Sequence, residues 1–279
     1  INIMDIYYDI NNNIINNYNI NKRNYYNLKN IYNIKNNNEI LIKDINNIIN
    51  NDKISEIYEF SFNNFYNNKG EKYIGEINNN KKEGKGILYY DENDIYKRKK
   101  YVGEFKNDKF EGKGIMYWND GDRYEGDYKE DKKEGRGTYY FNNGNRYEGE
   151  WKKNKIAGKG IMYWNDGDKY EGDYKNDIKE GKGRYYFNNG NKYDGDWKND
   201  KFEGKGIFYN IDGNRYEGNW RNSIKEGKGI LYQNNNKRYE GDWKNDLKEG
   251  KGIYFYDNGD KYEGDFKKNK ISGKGKMFY

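Results

Sequence analysis

The 279 residues carry 33% hydrophobic, 35% charged and 18% aromatic side chains and a formal net charge of +6, with 33 Tyr, 6 Trp and 34 Gly but no Pro, Cys or His. That apolar fraction is too low for a large conventional core and the aromatic fraction too high for a disordered polymer, so rings must supply much of the buried surface. Disulfides, thiolate metal sites and nucleophile chemistry built on Cys or His are excluded, and no apolar run reaches the ~18–20 residues of a membrane span.

Residues 1–56 are rich in Asn, Ile and Lys and lack repeats, a composition that reads as a partly disordered tail. Within it Ile42, Ile45 and Ile49 have helical spacing, which predicts a short helix over 40–50. The stretch FYNNKGEK at 65–72 copies the end of the units that follow, so 57–72 is read as a half-repeat capping them.

From Tyr73 a Tyr-x-Gly start recurs at Tyr101, Tyr124, Tyr147, Tyr170, Tyr193, Tyr216, Tyr239 and Tyr262, in steps of 23 residues after a first step of 28. Counting each Tyr as position 0, Gly stands at positions 2, 11 and 13 of all nine units, and the remaining seven stand at position 20, so none of the 34 is left for a singular active-site loop. YEGDY at 124–128 alternates aromatic and acidic residues, and GIMYW at 114–118 is β-branched and aromatic, so each unit reads as two short strands. NDGD and NNGN are hairpin turns, whereas KNDKFEGK at 106–113 reads as a longer, charged and solvated loop. Because one hairpin is marginal in water, the units must pair with their neighbours. The expected fold of 73–279 is therefore all-β, an elongated single-layer twisted antiparallel sheet of about eighteen strands. The units come in two types. Residues 114–129 and 160–175 differ only at Arg123 and Lys169, and an apolar residue at position 9 (Phe110, Ile156, Phe202, Ile271) gives way in other units to one at position 8 (Ile178, Ile224, Leu247).

These residues resemble the MORN repeat family (membrane occupation and recognition nexus). YEGEW at 147–151, Gly158-Lys159-Gly160 and Asp166-Gly167 carry the likeness, which covers 73–279. The family often has Gly at position 7 and His near position 10; here those places hold Asp or Asn and mostly Glu. The resemblance implies tandem MORN β-hairpins and a non-enzymatic scaffold, cytoplasmic and cytoskeletal or peripheral to a membrane, whose partners are cytoskeletal or membrane-associated proteins. A phosphoinositide- or anionic-lipid-binding module is the alternative, and a choline- or glycan-binding repeat protein a third reading, prompted by YYFNNG at 139–144 and 185–190.

No catalytic residues, metal site, cofactor or nucleic-acid partner is expected. One Thr and four Ser lack a base, the acidic residues recur identically from unit to unit, and Gly-Lys-Gly lacks the spacing of a phosphate loop. Position 4 supplies the candidates for an aromatic groove, Tyr128, Trp151, Tyr174, Trp197, Trp220 and Trp243, and positions 15 and 17 are also largely apolar. Lysines at positions 5, 8 and 12 are expected along the loop edge, and the insertion supplies the anionic-lipid candidates Lys97, Arg98, Lys99 and Lys100. A homodimer through the C-terminal repeats, 262–279, is expected from an unpaired strand edge, with Met277, Phe278 and Tyr279 in contact and Lys276 opposing.

Overall fold

In a computed structural model the described residues are 70–279; the tail at 1–56, its helix over 40–50 and most of the half-repeat at 57–72 lie outside them. Two compact units divide the chain, Ile1–Lys132 and Lys133–Tyr279.

In the first unit, β1 (Lys72–Asn78), β2 (Lys81–Tyr89), β3 (Arg98–Lys106), β4 (Lys109–Trp118) and β5 (Arg123–Lys129) pair antiparallel in chain order, β1 with β2, β2 with β3, β3 with β4 and β4 with β5. The second unit continues the pattern. It runs through β6 (Lys132–Tyr140), β7 (Arg146–Lys152), β8 (Lys155–Tyr163), β9 (Lys169–Lys175), β10 (Ile178–Tyr186), β11 (Lys192–Lys198) and β12 (Lys201–Tyr209). It ends with β13 (Arg215–Arg221), β14 (Ile224–Tyr232), β15 (Arg238–Lys244), β16 (Leu247–Phe255), β17 (Lys261–Lys267) and β18 (Lys270–Phe278). Among the described residues there is no α-helix, only a 3₁₀ turn at Asn234–Asn236. The expected all-β architecture of tandem antiparallel hairpins is what forms.

The platform of every hairpin follows from Tyr-x-Gly and Gly-Lys-Gly. Gly195 of β11 lies opposite Gly206 of β12, and the Tyr193 ring lies across both. A Cβ on Gly195 would fall 2.6 Å from Tyr193 Oη and 2.5 Å from Gly206 Cα, so nothing larger than Gly fits beneath the ring. The pairing then slips: Asp196 faces Glu203, and Gly204, at φ +60°, leaves that ladder with Lys205 to pair with Trp220 and Asn219 of β13. Two hydrogen bonds hold the slip. Tyr193 Oη donates to the Asp196 carbonyl at 2.9 Å, and Lys205 N–H donates to the Asp196 carboxylate at 2.9 Å. The position-0 tyrosines are thereby the core, from Tyr101, Tyr124 and Tyr147 at 0% exposure to Tyr262 at 6%. Burial, followed by the nearby acidic residue of position 3, raises the hydroxyl pKa of Tyr101, Tyr147 and Tyr193.

KNDKFEGK is not a long solvated loop. Asn107 (φ 50°) and Asp108 (φ 71°) close a two-residue left-handed turn, and Lys109 already begins β4. The same pair of positive φ values recurs at positions 6 and 7 of every unit, a turn whose twist matches the strands it joins. This is where the departures from the family pattern act. The position-7 side chain clamps the preceding unit, as Asp200 does by accepting the Lys179 N–H at 2.9 Å, and its own N–H donates back to Lys179 C=O at 3.2 Å. The position-10 Glu reaches forward: Glu180 accepts the Asn199 N–H at 3.2 Å, and Glu203 the Asn222 N–H at 3.0 Å. Lysines at position 12 stand on the strands, not on the loop edge, and pair with position 3 of the next unit: Lys159–Asp173, Lys182–Asp196, Lys228–Asp242 and Lys251–Asp265. Asn219 is the place where this series breaks opposite Lys205.

Candidate interaction face

Cross-strand partners in the register share a face, so position 0 lies beside positions 15 and 4, and positions 1 and 14 lie on the other side. The position-4 rings form the floor of the aromatic face. Tyr128, Trp151, Tyr174, Trp197, Trp220 and Trp243 are 4–7% exposed. Each stands edge-on to a position-0 Tyr, as in Tyr193–Trp220 at 5.6 Å and Tyr216–Trp243 at 5.1 Å. The indoles also donate to a Gly carbonyl of the preceding unit: Trp197 Nε1 to Gly183 at 3.0 Å, and Trp220 Nε1 to Gly206 at 3.1 Å. Tyr174 makes no such bond, and its buried hydroxyl has no partner.

The rings that meet solvent belong to positions 15 and 17 of the second unit, which the sequence marked only as apolar. Trp164, Tyr185 and Phe187 are half-buried and touch in series, Trp164–Tyr185 at 5.4 Å and Tyr185–Phe187 at 4.6 Å; Phe187 continues to Phe208 at 5.8 Å. The lane is then interrupted by Asn210, Leu231 and Gln233. A cavity of about 190 Å³ opens there, lined by Phe208, Asn210, Tyr216, Trp220, Lys225 and Leu231, with Asp246 at its edge.

Position 9 sets the charge of this face. Phe110 and Phe202 lie flat on the Tyr of their unit, with ring centroids 3.9 Å and 3.7 Å apart. Where position 9 is Lys, an ammonium takes the place of the ring. Lys179 Nζ lies 5.1 Å from the centroids of Tyr185 and Trp197 and 5.2 Å from Trp164; Lys225 lies 5.1 Å from Tyr216 and 5.3 Å from Trp243. Lys248 lies 4.6 Å from Tyr254 and 5.0 Å from Tyr239. Burial lowers the pKa of all three, opposed at Lys179 by Asp200 and Asp168, and at Lys225 by Asp246.

The insertion does not gather its basic run into one patch. Arg98 is paired with Asp94 at 2.7 Å and lies 3.9 Å from the Tyr90 ring, and Lys100 lies 5.0 Å from the Tyr117 ring, its pKa lowered by burial and then by Lys99. Lys97, in a left-handed turn at φ 54°, and Lys99 are exposed. In β18, Met277 and Phe278 are each 40% exposed, and Tyr279 just past it is 98% exposed; Lys261 lies 4.5 Å over Phe278. Among the described residues no group of acidic side chains is arranged to hold a metal ion, and no helix is long and apolar enough to cross a membrane.

No curated protein matches the chain in sequence. Among solved structures, the TCP domain of Drosophila melanogaster SAS-4 in complex with a proline-rich motif of Ana2 is 16% identical, with 62% of this chain and 90% of that one covered at a TM-score of 0.38. The wild-type TCP10 domain of Danio rerio CPAP is 10% identical, with 60% and 78% covered and a TM-score of 0.36. The MORN repeat family matches nine times in succession, at 73–95, 101–123, 124–146, 147–169, 170–192, 193–215, 216–238, 239–261 and 262–279. Its Tyr-x-Gly and Gly-Lys-Gly positions are the ones that build the tyrosine platform, and the chain belongs to the MORN repeat family.

Proposed function

We propose that this chain is a non-enzymatic scaffold that binds cytoskeletal or membrane-associated proteins through the aromatic face of its second unit. The lane of half-buried rings at Trp164, Tyr185 and Phe187 carries the reading, because aromatic side chains that stay partly exposed beside a satisfied core mark interaction surfaces. Replacing those three residues by Ser leaves the tyrosine platform intact. The folded triple variant should lose the protein partners that the parent chain retains on affinity capture, and an unchanged set would overturn the reading.

Two further roles rest on narrower observations. Lys97 and Lys99 are the exposed cations through which the insertion would meet a phosphoinositide surface, and changing both to Gln should weaken co-sedimentation with anionic vesicles at low salt. Met277 and Phe278 on β18 and the following Tyr279 would join two copies; light scattering across a concentration series that finds only monomer would remove that role. The choline reading meets an obstacle, since the ring cluster around Trp164, Tyr185 and Trp197 already holds the Lys179 ammonium.

A further inference from the structure

The cations of the two faces are disposed differently in the second unit. On the side of position 14 they meet carboxylates, as Lys182 meets Asp196 and Arg184 meets Asp194 at 2.8 Å. On the aromatic face no carboxylate lies within ion-pairing distance of the ammonium groups of Lys179, Lys225 or Lys248. Asp200 and Asp246 are directed instead to the backbone N–H groups of Lys179 and Lys225, at 2.9 Å each. At Lys248 the corresponding acceptor is the neutral amide of Asn269, at 2.8 Å. Asp168 is held by the Tyr185 hydroxyl and by the Asn188 N–H at 2.8 Å. The aromatic face of the second unit thus presents half-buried ammonium groups seated on rings at Lys133, Lys179, Lys225 and Lys248, and the one at Lys225 borders the 190 Å³ cavity.

We propose that this face binds an acidic, extended peptide segment of a partner protein, with carboxylates meeting Lys225 and Lys248 and one apolar side chain filling the cavity beside Phe208, Trp220 and Leu231. The inference rests on the scaffold reading above and adds the chemistry of the partner. A carboxylate suits these cations because each has a ring behind it and no carboxylate at ion-pairing distance, Asp246 at the cavity edge being held by the Lys225 N–H, so the incoming anion completes a pair in a partly dehydrated setting. Spacing follows from the repeat. Two strands separate Lys225 from Lys248, roughly 10 Å, which an extended chain spans in about three residues. The cavity volume corresponds to one large side chain, and it opens where Asn210 stands at position 17, aromatic in every other unit but that of Gln233, and where Leu231 stands at the position held by Tyr185, Phe208 and Tyr254 in nearby units.

Selection of a displayed random 12-residue peptide library on the full chain tests this. The expected enriched peptides carry two Asp or Glu about three residues apart and a large apolar residue beside them. A purified peptide of that kind should bind Lys225→Met/Lys248→Met at least tenfold more weakly than the parent chain, with no change for Lys198→Met on the turn edge. Enriched peptides that are neutral or basic, or acidic ones indifferent to the double substitution, would overturn the acidic partner. If those peptides still lose binding in the Trp164/Tyr185/Phe187 serine variant, the aromatic scaffold stands without it. Failure to enrich any peptide over the bare matrix would count against both.

Discussion

The units 193–215 and 216–238 are neighbours with the same platform and opposite characters. In the first, Phe202 stacks on Tyr193 at 3.7 Å; in the second, Lys225 puts an ammonium 5.1 Å from Tyr216 at the same position. One site accepts both because a tyrosine face is apolar enough to stack a ring and electron-rich enough to attract a cation. The comparison teaches that the platform and the surface are separable: Tyr and Gly build the hairpin, and position 9 then decides whether the face above it is apolar or charged.

The largest effect should come from breaking what the two units share. Gly195→Ala puts a methyl group against the Gly206 backbone and the Tyr193 ring, neither of which can retreat, and should cost about 3 kcal/mol or more in chemical denaturation. Exchanging position 9 sharpens the contrast. Phe202→Lys gives up a stacked pair and should cost about 1–3 kcal/mol, whereas Lys225→Phe should stabilise by about 1 kcal/mol at neutral pH. The Lys225 pKa is lowered in the fold, so below its folded pKa the cost of holding it charged is present in full. That cost fades as pH rises towards the ordinary lysine value of 10.5, and the advantage of Lys225→Phe should shrink in the same direction.

Smaller effects separate satisfied from unsatisfied hydroxyls. Tyr147→Phe strands the Glu150 carbonyl, which accepts the Tyr147 hydroxyl at 3.1 Å, and should cost about 1 kcal/mol; Tyr174→Phe removes an unpartnered hydroxyl and should be neutral or stabilising. Equal losses in thermal melts would refute the distinction. Least of all, Asn219→Asp should restore the missing pair with Lys205 and an acceptor for the Lys228 N–H. We expect a gain below about 1 kcal/mol, abolished by high salt.

The family, the nine units and the all-β class were legible because the 23-residue period places Tyr and Gly without ambiguity. The turn was misread. Asn and Asp at positions 6 and 7 are ordinary in a solvated loop, and only the left-handed φ values identify a two-residue turn. The Glu at position 10 stood out as a departure from the family, yet its use as a clamp on the next turn depends on a neighbour 19 residues away. The position-4 rings were read as candidates for an aromatic groove, but a repeated Trp says nothing about depth; the indole bonds to Gly carbonyls and the edge-on tyrosines place them in the floor. The basic run at 97–100 gave four anionic-lipid candidates alike in sequence; only the structure shows Asp94 and Tyr90 engaging Arg98.

What the sequence determined by itself is the repeat, through glycines that no other residue can replace beneath a tyrosine ring. What only the tertiary structure decided is which rings stay partly exposed and which cations stay without a carboxylate. Those properties belong to pairs of residues in adjacent hairpins, brought together by strand register and not by any spacing along the chain.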